Sequence, residues 1–385
     1  MVLRPWDTTV QGGIVVLGAG LSGLSLAAHL ATTDARPGPV VVVDDGRHDI
    51  TRAAWASWTR RSSLLDPAAT ESFGRIRIHA KGRGRELPLD DYVYRVVHGA
   101  RLLAEVRRHT DSVADIGSVT GRVTDLCTSG GARVLLDDGR ELRPEWVFDA
   151  RGPAPATVGA DAALDFLGFR VRSRRPVFDP HAPVLFDFRT DQQVASFLYV
   201  LPTDAQHALV EHTCFTSASR PPIDDAKHHG AIATYLTDVL GLGTGSFDAE
   251  FAEHGRLPLV AHPPNRVEGQ VVRIGAAAGL LKASSGYAYE RIQRDCEAIV
   301  RSFARHGHPC DLPKPASRFG RYDRALLRVL VERPAFLEDM FARLFDRNSA
   351  APVLRFLDED TSVREETAMF ASLPAAPLIR AMAHR

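Results

Sequence analysis

The chain of 385 residues reads as an α/β protein of two domains followed by a helical C-terminal region, and three observations predict this. It opens on a strand, a glycine loop and a helix that lead into a run of four valines, the pattern of a βαβ unit. Its middle, between Leu167 and Pro258, is rich in short strands of β-branched and aromatic residues. After Arg291, apolar residues recur at helical spacing to the end. The length corresponds to about two to three domain equivalents. A hydrophobic content of 45% supplies ample core.

In the opening unit, Ile14 to Leu17 is a buried-type strand, Leu21 to Ala31 has helical spacing, and Val40 to Val43 ends in Asp44-Asp45. The stretch Gly18-Ala19-Gly20-Leu21-Ser22-Gly23 sits between strand and helix, where each glycine has a physical task. Gly18 makes the turn, Gly20 lets a pyrophosphate approach the backbone, and Gly23 lets the helix pack on the strand. Asp44, about twenty residues past the last glycine, is placed to accept ribose hydroxyls. Leu21 and Ser22 open a helix whose unpaired N–H groups and positive dipole end suit phosphate.

Residues 118–152 read as short strands broken by Gly-Gly and Asp-Asp-Gly turns, a β-meander that returns to the parallel sheet at Phe148-Asp149-Ala150-Arg151-Gly152. Far downstream, IGAAAGLLKASSGYAYERIQ at residues 274–293 supplies a second small-residue strand end and helix start. Two contact sites so far apart favour FAD over NAD. The expected cofactor-binding residues are Gly18, Gly20, Leu21, Ser22, Gly23, Asp44, Val123, Asp149, Arg151, Gly275, Gly279, Ser285, Gly286 and Tyr287. The expected architecture is therefore a Rossmann-like FAD domain (1–80, 115–165 and 255–310), a β-sheet substrate domain (81–114 and 166–254) and a helical region (311–385). Its C-terminal helices are read as core packing, with a roof over an oily cavity as the other reading.

Composition excludes several classes. Forty-seven basic residues against forty-seven acidic ones leave no net field for nucleic acid. Cys127, Cys214, Cys296 and Cys310 lack any CxxC spacing, which fits a reducing cytoplasm and argues against zinc. No apolar leader and no membrane-spanning run is read, while peripheral contact with a bilayer stays open. There is no DxDD or DDxxD motif, and Asp358-Glu359-Asp360 is read as a surface turn, so metal-dependent diphosphate ionisation is not expected.

Glu211 stands mid-strand between Val210 and His212. Facing an apolar pocket it would stay protonated and act as an acid; facing solvent it would be ordinary. Alternation alone leaves both readings open.

The chain resembles the FAD-dependent lycopene cyclases of the bacterial and plant beta-cyclase type. The likeness runs in order through GAGLSGLSLA, Trp55-x-x-Trp58, Tyr92-Val93-Tyr94-Arg95, FDARG (148–152), FLGFRV (166–171) and VLFDFRTDQQVASFLYVLP (184–202). It continues through ALVEHTCFT (208–216), Glu253-x-Gly255-x-x-Pro258, KASSGYAYERIQ (282–293), YDRALLRVL (322–330) and VLRFLDEDTS (353–362). This resemblance implies that Glu211 donates the proton and that reduced FAD holds the resulting charge without net redox, NAD(P)H being the electron source. It also implies a polyene substrate beside Trp55, Trp58, Tyr199, His212 and Phe215, with Tyr287 at the flavin boundary. The sequence departs from the family pattern at His212, where a second acid is usual, and at Ser57, where an aromatic is usual. Both departures leave room for a shorter polyprenyl or meroterpenoid substrate. A prenyl reductase or monooxygenase is the redox alternative; Gly275-Ala276-Ala277, in place of the Gly-Asp of hydroxylases, argues against the monooxygenase.

Overall fold

The valine-rich opening forms the middle of a six-stranded sheet. A computed structural model describes residues 2–7, 9–152, 159–243, 245–263 and 265–383. In this sheet the strands lie in the order Val267–Glu268, Val271–Arg273, Trp146–Asp149, Ile14–Leu17, Val40–Asp44 and Ile116–Thr120. Neighbours run parallel except the outermost pair, Val267–Glu268 with Val271–Arg273. A parallel sheet is covered on both faces, so its central strands are apolar at every position. Ile14, Val16, Val40 and Val42 face the helices Leu21–Leu30, Gly99–Thr110 and Tyr289–His306. Val15, Leu17, Val41 and Val43 face the meander strands Val123–Cys127, Arg133–Leu136 and Glu141–Leu142.

The strand-rich middle builds a second sheet of seven strands, ordered Phe247–Leu259, Ala162–Ser173, His207–Thr216, Ala195–Pro202, Val184–Asp187, Arg75–Ala80 and Arg83–Pro88. Its inner face packs on the C-terminal helices, through residues such as Leu185, Phe197 and Phe215. Its outer face, with Leu198, Val200 and Val210, is covered by the helix Asp225–Thr234 and the turn after it. A smaller sheet of Ala54–Thr59, Val93–His98 and Ala69–Phe73 divides its side chains between the two cores. Trp58, Tyr94 and Val96 go to the large-sheet side, Trp55 and Val97 to the nucleotide side.

Two segments have partners other than those expected. Arg75–Ala80, read with the FAD domain, pairs into the seven-stranded sheet. Helix Gly99–Thr110, read with the substrate domain, buries Leu102 and Val106 against the N-terminal helix. A strand's alternation and a helix's stripe specify that a face is buried but not against which sheet.

The C-terminal helices, from Ser317–Glu332 through Ala375–Ala383, also depart from the expectation of plain core. They roof an apolar cavity of about 440 Å³, lined among others by Trp58, Phe186, Phe197, Phe215, Tyr322 and Met340. Among the described residues, no helix is long and apolar enough to cross a membrane.

Candidate active site and cofactor cleft

The glycine loop has the geometry that its sequence demands. Gly18 adopts φ +98° and donates its N–H to the Val43 carbonyl at 2.7 Å. A Cβ on Gly23 would lie 2.0 Å from the Gly18 carbonyl oxygen, so only glycine lets this helix approach the strand. A Cβ on Gly20 would meet nothing within 4 Å, and helix Leu21–Leu30 begins there with neither a side-chain cap nor an acidic residue in its first turn. An uncapped helix start facing open space suits a phosphate group. Asp44 accepts the N–H of Ala19 and of Gly46, each at 2.8 Å, one on each carboxylate oxygen. Both oxygens keep capacity for a further donor.

The distal half joins this loop in space. Gly275 (φ +64°) lies so close to the N-terminal helix that a Cβ would come within 2.1 Å of Ser22 Oγ, and Gln293 donates to Ser25 Oγ at 2.9 Å. Asp149 pairs with Arg151, and the Ala150 backbone lies against Gly18. Val123 is half-buried beside the meander face, one turn past Gly121, whose N–H bonds the Asp44 carbonyl. Gly279 is the left-handed cap of a short 3₁₀ turn. Gly286 (φ +77°) leaves no room for a side chain beside Leu164, and the Ser284 and Ser285 hydroxyls at the cavity wall are buried without partners.

Sheet register decides the direction of Glu211. Tyr199, Phe197 and Ala195 stand opposite Glu211, Thr213 and Phe215, while Gly168 stands opposite Glu211 from the other side. Phe215 and Tyr199 belong to the inner core and Val210 to the outer one, so Glu211 points inward. Glu253 flanks Gly168 on the far side, giving a row Tyr199, Glu211, Gly168, Glu253 across four strands. Burial first, and the neighbouring Glu253 second, raise the Glu211 carboxyl above its ordinary range; the Thr213 hydroxyl, donating to Oε1 at 2.8 Å, opposes them. Burial raises Glu253 as well, against the pull of Arg170 and the Ala54 N–H. Two adjacent carboxyls in one apolar setting cannot both ionise readily.

A cluster of tyrosines begins beside this pair, where Tyr199 stands opposite Glu211. Tyr94 bonds hydroxyl to hydroxyl with Tyr199, and with Tyr287 at 3.0 Å. Burial holds Tyr199 and Tyr287 protonated. The Tyr287 ring sits 4.3 Å from that of Trp58, which lines the cavity. Glu211 itself is not among the residues that line the cavity.

Asp358 and Glu359 are not a surface turn. Asp358 accepts from Trp58 Nε1 and from the Tyr92 hydroxyl, both at 3.1 Å. Glu359 and Asp323 accept from the fully buried Lys282, at 2.9 and 2.8 Å, and Arg291 completes the pairing on Glu359. Two cations on two anions leave no uncompensated charge, and the loop carrying Ser285 and Tyr287 is held to the roof.

Two expected substrate residues stand elsewhere. His212 follows Glu211 in an alternating strand and therefore faces the outer side, where its Nδ1 meets that of His228 at 3.0 Å. Trp55 faces the nucleotide-side core, because it is odd-numbered in a strand whose even positions, with Trp58, face the cavity. Glu253, Tyr94 and Glu290 were not expected at the site. Glu290, buried at the start of its helix, is pushed up to about 7 by burial, with Thr59 pulling it down. A buried carboxyl in a helix's first turn leaves only a faint mark in sequence, since acids are common there.

A family model described as lycopene cyclase protein matches residues 13–383, nearly the whole chain. The chain belongs to the lycopene cyclase family. Among solved structures this family member is similar to a geranylgeranyl bacteriochlorophyll reductase-like protein from Thermoplasma acidophilum, with 11% identity, 98% of each chain covered and a TM-score of 0.63. It is similar also to p-nitrophenol 4-monooxygenase from Pseudomonas putida DLL-E4 (13%, 98% of each chain, TM-score 0.57). A probable FAD-dependent monooxygenase from Pseudomonas aeruginosa matches at 15% over 86% of this chain and 99% of the other, with a TM-score of 0.56. At these identities the likenesses show the fold alone.

Proposed function

We propose that this lycopene cyclase family member is a redox-neutral, flavin-dependent cyclase that protonates the terminal double bond of a polyene, with lycopene the leading substrate and gamma- and beta-carotene the products. The observation that carries the reading is an inward carboxyl, Glu211, raised by burial and standing opposite Tyr199, in a tyrosine cluster that reaches Trp58 at the wall of an oily cavity. The Glu211 proton passes along the hydroxyls of Tyr199, Tyr94 and Tyr287 to the alkene terminus, each O–H giving up one proton as it gains another, and forms one C–H bond. The next double bond attacks the tertiary cation and closes the ring, and a ring proton is then lost to the relay, which returns Glu211 to its acid form, so electrons and mass balance without an oxidant. Trp58 and Tyr287 present aromatic faces to the cation.

The residues present fit FAD. The open cradle at Gly20, the uncapped helix start and the contact of Gly275 with Ser22 are the features a dinucleotide requires. Gly18, Gly20 and Leu21–Gly23 would hold the pyrophosphate, Asp44 the ribose, Val123 the adenine side, and Asp149, Arg151, Gly275 and Gly279 the ribityl side. When bound in reduced form, with electrons drawn from NAD(P)H, the flavin supplies an anionic face beside the cation. Gly286 lets the tyrosine loop lie tight against Leu164, and the Ser285 N–H closes the loop on the Lys282 carbonyl.

Ser57 is an odd position of the same strand as Trp55 and does not line the cavity, so it does not favour the second reading, a shorter polyprenyl substrate. His212 no longer bears on substrate choice. Exposed Ile379 and Met382, both at the cavity rim, support peripheral contact with a bilayer from which an apolar substrate would enter. The deciding experiment is anaerobic incubation with lycopene and chemically reduced FAD in deuterated water. One deuterium per ring, with mass otherwise unchanged, supports the proposal. Gain of two hydrogens or of oxygen points to the reductase or monooxygenase and overturns it. Glu211→Gln should lower turnover by about 10²- to 10⁴-fold while flavin binding persists.

A further inference from the structure

The outer face of the seven-stranded sheet carries a cluster that the proposed chemistry does not use. His212 and Cys214 leave strand His207–Thr216 on that face, and His228 descends from helix Asp225–Thr234. All three are buried, with exposures of 7%, 1% and 2%. Each can bring one ligand atom within 4.8 Å of the others, and among the described residues no other group of His, Cys, Asp and Glu meets this condition. The Nδ1 atoms of His212 and His228 are 3.0 Å apart, and Cys214 Sγ lies 3.9 Å from His212 Nδ1.

Those spacings are close to the edges of a tetrahedral metal site. With Zn–N near 2.05 Å and Zn–S near 2.3 Å, the N···N edge is about 3.3 Å and the N···S edge about 3.6 Å. The observed separations each differ from these by about 0.3 Å, and Cys214 Sγ lies nearer His212 Nε2, at 3.6 Å, so the imidazole would turn on binding. The donor set also selects. One thiolate and two imidazoles suit zinc and are poor ligands for magnesium or calcium, which demand oxygen. Asp165, in register with Cys214 on the neighbouring strand, is committed to Arg256 at 2.8 Å through both oxygens and to Thr216 at 2.7 Å. Its charge is thereby met by Arg256 and it is not a ligand, so a water would fill the fourth coordination position.

We propose that His212, Cys214 and His228 bind one zinc ion that clips helix Asp225–Thr234 to the outer face of the sheet. On binding, the Cys214 S–H bond breaks, its proton leaves to solvent and the sulfur lone pair forms the Zn–S bond; both imidazoles bind neutral, and no redox change occurs. The site is remote from the cavity face, since His212 and Glu211 are consecutive residues on opposite faces of one strand. The competing arrangement is a metal-free pair in which one imidazole donates its N–H to the other.

The test uses the full chain, stripped with a chelator and titrated first with Co(II) as a spectroscopic probe and then with Zn(II). The expected result is one Co(II) per chain with a thiolate-to-cobalt charge-transfer band, displaced by one equivalent of zinc with release of no further proton. Zinc at a hundredfold excess over its dissociation constant should raise the melting temperature of the wild type but not of Cys214→Ser. His228→Gln should lose the band while Cys214 remains. Absence of the band in wild type, its survival in Cys214→Ser, or an equal thermal shift in both proteins overturns the proposal. Stoichiometric copper in the purified chain, with zinc unable to displace Co(II), also overturns it. If His228→Gln fails to fold, the wild-type and Cys214→Ser comparison still decides.

Discussion

Glu253→Gln is the change that tests the carboxyl pair most directly. Glu211 and Glu253 face each other across Gly168, one strand apart on either side. Strands are spaced by about 4.8 Å, so two spacings put the backbones about 9.6 Å apart. At an effective dielectric of about 20, unit charges at that separation interact by about 1.7 kcal/mol, or about 1.3 pH units. A negative Glu253 raises Glu211, so its removal lowers the Glu211 carboxyl. Glu211 must carry its proton to act, and the alkaline limb of turnover reports where that proton is lost. In Glu253→Gln this limb should therefore move about one unit to lower pH, with turnover at acid pH preserved. The assay is cyclisation rate against pH at saturating reduced FAD. A limb that stays in place or moves to higher pH would refute the coupling; a limb that persists in Glu211→Gln would refute the assignment of the acid.

Two stability predictions follow from other parts of the molecule. Lys282→Met leaves Asp323 buried without its cation, while Glu359 keeps Arg291, and should cost about 3–5 kcal/mol in denaturant unfolding. Adding Asp323→Leu should recover part of that loss, and no recovery would contradict the ion-pair account. Gly23→Ala places a methyl against the Gly18 carbonyl and should reduce both stability, by about 1–3 kcal/mol, and flavin retention on gel filtration. An unchanged protein would mean the loop can open without cost.

What could be read from sequence was local. The Gly18–Gly23 loop, the valine strand with Asp44 and the meander declare themselves through turn chemistry and period within a few residues, and each is found in place. The site was legible only as far as Glu211 itself. Its inward direction depends on pairing with Tyr199 and Gly168, and Glu253 joins it only because a third strand adopts the matching register. The same reasoning failed for His212 and Trp55. Each is next to, or near, a residue that does face the site, and a side-chain period of two sends it the other way. The acidic turn at Asp358-Glu359-Asp360 looked solvated because its partners, Lys282, Trp58 and Tyr92, lie far away in sequence. The C-terminal helices carry ordinary amphipathic stripes, and nothing in a stripe distinguishes a filled core from the lining of a hollow one.

The buried ion pairs at Lys282 have a mechanical consequence. Lys282 begins the loop that ends in Tyr287, and its carboxylate partners belong to the roof. The loop that carries Tyr287 and the roof are therefore tied by buried charge, and any displacement of one that strips a partner from the other leaves a charge uncompensated in the interior.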